Sequence, residues 1–367
     1  MKKSYSSPYS IEIFKGKLGL LKIYTIWESF NSRNSETNIA HLPGWYLSFF
    51  NTIDNFDSDI YFILVLKEDN PLCILPLKYT FKKYFIIKTP VLELPIHGHF
   101  YYRDFITADQ TFSTEDINSI LDLIKKKFPK SWDILIGLNI YECSNFYNLF
   151  LAANCKFKFI KRYGRIDYLF IDKGVDADSM FSRNMRKKLK KYKRKIEEGS
   201  SLYFETERLF DGENELFKRF LELENSGWKG SAGENTSIKS QITLVNLYKD
   251  FIKNINSEAY FVIIIGRLDD VDIVGDLGFI YKSTFYSLKI AYNENYSHLS
   301  PGQLLQEYEI KLIHSHPEIT CINFMTGFET HKLWTDEFIP TYNTMIFRNS
   351  FKGLFLGFIY NLKNHLK

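Results

Sequence analysis

Only four cysteines occur in 367 residues, Cys73, Cys143, Cys155 and Cys321. None forms a C-x-x-C pair and no histidine stands beside them at ligand spacing, which argues against a disulfide framework or a thiolate metal centre. They read as reduced core residues in a reducing compartment. No apolar run approaches the roughly 18 residues of a membrane-spanning helix. The basic start, MKKSYSSPYSIEIFKGK, lacks the apolar stretch of a secretory signal. His298, His314, His316 and His331 show neither H-x-x-x-H spacing nor triad order, so none is assigned to catalysis and no metal is expected. These absences together lead to the expectation of a cytoplasmic protein.

What the chain does have is one concentrated block of charge. Residues 181–199, FSRNMRKKLKKYKRKIEEG, hold nine Lys/Arg against two Glu, a net +7 in a chain of formal charge +4. The remainder of the chain therefore sums to about −3, and the positive charge belongs to one element. Met185, Leu189, Tyr192 and Ile196 recur at helical spacing, giving a basic helix with one apolar stripe. Three readings stay open for it. It faces a phosphate-rich ligand or an anionic membrane, it faces nucleic acid, or its stripe docks on the core and its charges only solubilise it. Tyr192 is the single aromatic within the run, short of the stacking platform of a single-strand binder.

Elsewhere helix-like and strand-like segments alternate, which predicts mixed α/β layers, and the length favours two domains. Hairpins are predicted at 60–66 with 72–79, turning at residues 68–71, and at 259–265 with 271–281, turning at Asp269-Asp270. Helices are predicted at 117–128 and 302–314, and strands at 132–138, 284–292 and 319–325. The segments Tyr61–Val65 and Tyr260–Ile264 open similar hairpins, a sign of an internal repeat. The tail, FKGLFLGFIYNLKNHLK, has apolar residues at helical spacing among lysines; it docks on its own core or lies in a membrane interface.

Four motifs follow one another in the second half. They are Ser182-Arg183-Asn184-Met185-Arg186-Lys187-Lys188-Leu189, the Trp228-Lys229-Gly230 that ends a Glu-rich helix, Ser300-Pro301-Gly302, and Gly327-Phe328-Glu329-Thr330-His331-Lys332-Leu333-Trp334. In this order the chain resembles the BioF2-like or CelD-type acetyltransferases, two-domain proteins of the GNAT superfamily related to the FemAB aminoacyltransferases. The likeness covers roughly residues 175–350 in motifs and the first half in architecture only. Two departures stand out. The Ser300-Pro301-Gly302 loop lacks the second glycine and the basic or amide lead of the usual loop, and the last element is one residue longer before its lysine.

The resemblance implies an α/β fold with a mixed sheet, built as two tandem GNAT-like, FemAB-type domains sharing a central cleft. The domains expected are 1–175, without a cofactor loop, and 176–350, the acyltransferase proper, followed by a basic amphipathic helix at 351–367. It implies an N-acyltransferase that moves acetyl from acetyl-CoA to an amine of an amino sugar or of a polysaccharide or envelope precursor. Cofactor contacts are expected from Ser300, Gly302, Gln303 and Leu304, because a Pro-started helix with a nearby glycine presents free amides to a pyrophosphate. Glu329 is the candidate base, Lys332 the candidate charge stabiliser and Tyr292 their neighbour at a strand end, with Asp276 as a second base. Arg103, Asp104, Trp228, Lys229 and Trp334 are the candidate acceptor contacts; for both tryptophans packing is the competing reading. The Gly302 and Gln303 amides, Tyr292, Glu329 and Lys332 are expected to line one pocket opening toward the first domain near Arg103. Two other readings are retained. One is a FemAB-like enzyme taking its acyl group from aminoacyl-tRNA, weakened by the lack of a heptad-patterned helical arm. The other is a non-catalytic module that binds an anionic envelope component. Peripheral contact with the inner membrane is an expectation of the same kind.

Overall fold

The computed structural model describes residues 8–365 apart from 35–36, 55, 57–58, 85, 100–102, 109–111, 198–199, 228, 231–232 and 256–258. The chain separates into two compact units, the first made of residues 1–50, 54–165 and 339–367, the second of 51–53 and 166–338. Residues 339–367 thus return to the first unit, where sequence order had placed them with or after the second.

In chain order the first unit holds β1 (Tyr9–Lys15), α1 (Gly16–Arg33), α2 (Pro43–Thr52), β2 (Ile60–Lys67), β3 (Asn70–Tyr84), β4 (Ile87–Glu93), β5 (Ile106–Thr107), α3 (Thr114–Lys127), β6 (Ile134–Tyr141) and α4 (Asn145–Ala152). Strand β7 (Phe157–Phe170) leads into the second unit, which continues with α5 (Arg183–Glu197), β8 (Leu202–Leu209), α6 (Glu215–Ser226), α7 (Ile242–Asn254), β9 (Ala259–Leu268), β10 (Val271–Tyr281), β11 (Thr284–Tyr292), α8 (Pro301–Ser315) and β12 (Cys321–Asn323). Strand β13 (Phe338–Phe347) and helix α9 (Phe351–His365) close the chain.

Both units are mixed α/β and repeat one strand pattern. The first runs β1-β2-β3-β4-β6-β13 and the second β8-β9-β10-β11-β12-β7. Neighbours are antiparallel except for one parallel pair in each, β4 with β6 and β11 with β12. The two hairpins foreseen from sequence occupy equivalent places. Both turn through residues with positive φ, Glu68 at 50° and Asp69 at 63° in one, Asp269 at 52° in the other, as short polar turns between right-twisted strands require.

Local physics explains the helices. In α1, Leu20, Ile23, Trp27 and Phe30 fall on one face and are buried. At Gly19 a Cβ would stand 2.8 Å from the Phe14 backbone, so only glycine lets the helix turn back against β1. In α5, Met185, Leu189 and Ile196 are buried against the second core while the cations face outward. The apolar stripe of the basic helix therefore docks as its spacing foretold. Cys73 is the one fully buried cysteine; Cys143 is exposed, so the expectation of four core thiols does not hold.

Candidate functional site

Strand β11 is the element around which the second unit opens. It pairs with β12 only over Thr284–Tyr286 opposite Cys321–Asn323, so the edge of β11 from Ser287 to Tyr292 has no β12 partner. Within that stretch the register with β10 slips, Gly278 facing Ser287 and Leu277 facing Lys289, which leaves Leu288 as a bulge. A short 3-10 turn, Glu294–Leu299, then delivers the chain to α8.

The start of α8 is bare. Ser300 adopts the left-handed conformation and its side chain caps nothing, while Pro301 brings no N–H. Beyond the place of a Gly302 Cβ there is no atom within 4 Å. The Gln303 and Leu304 amides both point back to the Ser300 carbonyl, at 3.0 and 3.4 Å. This corrects one expectation: the Gln303 amide is engaged in the turn, and the Gly302 amide is the one left open at the positive end of the helix dipole. Leu304 is a core residue at 2% exposure, so its contribution is to packing. The equivalent helix of the first unit is closed by its own side chains. At α3 the Ser113 hydroxyl accepts from the Asp116 amide and the Asp116 carboxylate accepts from the Ser113 amide, so an acidic capping box fills the anion position.

Beside the open edge lies the W-K-G segment. A Cβ on Gly227 would sit 3.5 Å from the Tyr292 carbonyl. Lys229 is half-buried, 4.0 Å from the carboxylate of Glu224, itself buried and accepting from the Ile238 amide at 2.8 Å. Burial first, and then the Lys289 ammonium on β11, lower the Lys229 pKa against the pull of Glu224. The structure thus brings together Lys229, Glu224, Lys289 and the exposed Tyr292. Trp228 lies outside the described residues.

On the other face of β10 two carboxyls are sealed in. Asp276 on β10 and Glu309 on α8 are 0% and 1% exposed, and no oxygen of either has a fully formed hydrogen bond. Removal from water is the main cause that pushes Asp276 up to about 6, opposed by the Ser287 hydroxyl, by Glu309 and by the Lys289 backbone. The same desolvation, and then the Asp276 charge, hold Glu309 well above the usual carboxylate range. Two such groups side by side share at least one proton. Asp276 is thus a buried proton holder one strand from the opening, and its burial keeps it from serving as the second base expected from sequence.

The Gly327–Trp334 segment divides its roles. Glu329 and Lys332 form an exposed 2.8 Å ion pair on a 3-10 turn. His331 between them turns inward, 5% exposed, with Nδ1 3.1 Å from Asp167 at the end of β7 and its ring stacked on Phe324 at 4.5 Å. This pair ties the turn to the sheet. Its partners are 164 residues apart, so no local spacing announced it. Trp334 is buried edge-on to Phe181, whose ring also lies under Lys311. That contact is about 15 Å along α8 from Pro301. Trp334 is 9% exposed and belongs to the core, which corrects its reading as a saccharide platform.

In the first unit, Asp104 is likewise structural. Its carboxylate, 2% exposed, accepts from the Asn145 and Phe146 amides at the start of α4, from the Tyr141 hydroxyl and from His41. Nothing remains for a substrate. Arg103 donates to the Leu138 carbonyl at 3.1 Å and is half-buried. Among the described residues no group of three His, Cys, Asp or Glu side chains is placed to hold a metal ion.

Residues 183–333 match the model of the acetyltransferase (GNAT) domain. The chain carries a GNAT-type acetyltransferase domain and is an acyltransferase. No curated protein matches it in sequence. Among solved structures it is similar to FemX, with a TM-score of 0.54 at 12% identity over 87% of this chain and 95% of that one. It is also similar to a tandem GNAT protein from the clavulanic acid biosynthesis pathway, TM-score 0.51 and 7% identity, covering 91% and 98% of the two chains. A conserved protein of unknown function from Bacteroides thetaiotaomicron gives 0.51 and 11% over 90% and 97%. Identities this low speak for a shared fold, and the repeated strand order of the two units agrees with it. Within the acetyltransferase domain, the open β11 edge, the bare α8 start and the Lys229–Glu224 pair all fall inside the matched residues.

Proposed function

We propose that this domain transfers acetyl from acetyl-CoA to the amine of a small molecule of the amino-sugar or polysaccharide- and envelope-precursor class, as a member of the BioF2-like acyltransferases. The observation that carries the reading is the unpaired edge of β11 followed by an uncapped helix start with open space at Gly302. A pyrophosphate fits there because the helix dipole, an open amide and the missing Cβ coincide. The capping box at α3 supports assigning the donor to the second unit, with the first as a copy lacking a cofactor loop.

In the reaction the acceptor nitrogen attacks the thioester carbonyl. A C–N bond forms, the C–S bond breaks, the ammonium proton passes to a base, and the thiolate leaves and is protonated. Backbone amides on the free edge of β11 are placed to support the carbonyl oxygen. Glu329, exposed to water, takes the role of base with Lys332 holding its charge, and Tyr292 that of proton donor to the thiolate. Lys229 and Arg103 remain the proposed acceptor contacts. The test is CoA release from acetyl-CoA across amino-sugar and nucleotide-sugar acceptors, read with a thiol reporter, alongside thermal shifts with acyl-CoAs. No release and no shift with any acyl-CoA refutes the donor.

One observation favours a second donor. Arg183, Lys187, Lys188, Lys190, Lys191 and Arg194 of α5 are exposed and form no ion pair among the described residues, a surface suited to a polyanion. Aminoacyl-tRNA bound far more tightly than uncharged tRNA at physiological salt would replace acetyl-CoA as the donor.

A further inference from the structure

Helix α9 is apolar on two opposite faces. Leu356 is buried in a small core with Val91, Ile134, Ile136 and Phe347, and Tyr360 packs against it. The opposite face carries Phe351, Phe355, Phe358 and Leu362, at intervals of 4, 3 and 4 residues, exposed at 92, 47, 51 and 46%. A helix docked by one face ordinarily turns polar residues outward. Beside its first turn lies the tip of the β3–β4 hairpin, where the Lys352 ammonium is 3.4 Å from the Lys88 carbonyl. That tip carries Ile86, 90% exposed, and Phe81, 49% exposed, with Lys88 over the Phe81 ring.

We propose that the outer face of α9 and this hairpin tip form a membrane-docking surface that lies in the headgroup layer of an anionic bilayer. Charge selects this occupant. Residues 339–367 contain no Asp or Glu, and none occurs from Lys78 to Leu92, whereas Lys83, Lys88 and Lys363 belong to these segments, along with Lys82 and Lys352, which are paired with Glu93 and Asp133. Aromatic side chains with lysines at their rim suit the boundary between acyl chains and anionic headgroups. A second copy of the chain fits less well. The stripe offers on the order of 500 Å², against about 800 Å² per partner in a stable interface. A two-fold pairing would also set lysines against lysines. No helix among the described residues is long and apolar enough to cross a membrane, so the contact lies in the plane of the surface.

The experiment is co-sedimentation of the full chain with phosphatidylcholine vesicles with and without phosphatidylglycerol, at low and high salt, with light scattering in parallel. The wild type is expected to bind the anionic vesicles preferentially, less so at high salt, and to be monomeric. Ile86→Ser with Phe351→Ser should weaken vesicle binding on the order of tenfold or more with an unchanged thermal midpoint, since both side chains are at least 90% exposed. Lys83→Glu with Lys88→Glu should remove the preference for phosphatidylglycerol. Absence of vesicle binding, equal binding to both vesicle types, or a serine double variant that binds like the wild type overturns the proposal. So does a dimer that this serine variant dissolves, because the stripe would then cover a second copy.

Discussion

Replacing Glu309 by Gln should flatten the fall of stability with pH above neutrality. In the folded protein Glu309 is sealed against Asp276; burial, and then the neighbouring carboxylate, raise its pKa well above the usual value. Asp276 sits at about 6. In the unfolded chain both groups return to roughly 4. Both states are fully protonated below that value, so the raised pKa values have no cost there. Above about pH 6 the unfolded chain has released both protons while the folded protein still holds the one on Glu309. Stability therefore drops as pH rises, by about 1.4 kcal/mol per unit for that retained proton. Glutamine copies the protonated carboxyl in shape and has no proton to release in either state, so the variant lacks this slope. As long as Glu309 keeps its proton the wild type loses stability with rising pH that the variant keeps. For a unit of this size each kcal/mol lost amounts to roughly 2–4 °C in the thermal midpoint. Denaturant unfolding of both proteins at constant ionic strength, across this pH range, reads it directly. Parallel stability curves would refute the reasoning, since they would mean that Glu309 keeps no proton that the unfolded chain releases.

Four further outcomes follow from the geometry. Gly302→Val meets open space, so it should fold with stability within about 1 kcal/mol of wild type and yet lose acetyl-CoA affinity by calorimetry; undiminished affinity removes Gly302 from the donor site. Asp104→Ala strips four donors of their shared acceptor and should cost about 3–5 kcal/mol in denaturant unfolding, while acetyl-CoA affinity measured on the folded fraction stays unchanged. Trp334→Ala should cost about 3–5 kcal/mol as a core truncation. Glu329→Gln, at an exposed carboxylate, should leave the thermal midpoint in place and lower the turnover number; equal loss of stability in these two variants would contradict their placement.

Much of the scaffold was legible because it rests on short-range patterns. The two hairpins showed themselves as apolar runs around Glu-Asp-Asn-Pro and Asp-Asp turns, and β11 was read with the ends it has in the structure. The basic helix was plain from the spacing of Met185, Leu189 and Ile196. Strand β12 was read too long: its ladder ends at Asn323, although Ile319 and Phe324 are buried and the Phe324 amide still donates to the Asp167 carbonyl on β7. The site was harder to read. Trp334 and Asp104 looked like contacts because their types suit substrates, but burial makes one a core ring and the other a helix cap. Glu309 carried no signal, since a glutamate on a helix is ordinarily solvated.

The sequence by itself determined the periodicities, the turns, the position of the single basic helix, the Pro-started helix at Gly302 and the motif order that leads to a GNAT-type domain. These depend on residues within a few positions of one another, where backbone geometry and side-chain spacing act directly. Only the tertiary structure decided that β11 pairs with β12 over three residues and then stands open, that Asp167 reaches His331 across 164 positions, and that residues 339–367 complete the first unit. Each of these depends on which distant surfaces meet and how far a buried charge lies from water. Desolvation and strand pairing between remote segments are properties of the assembled core, and no window of neighbouring residues contains them.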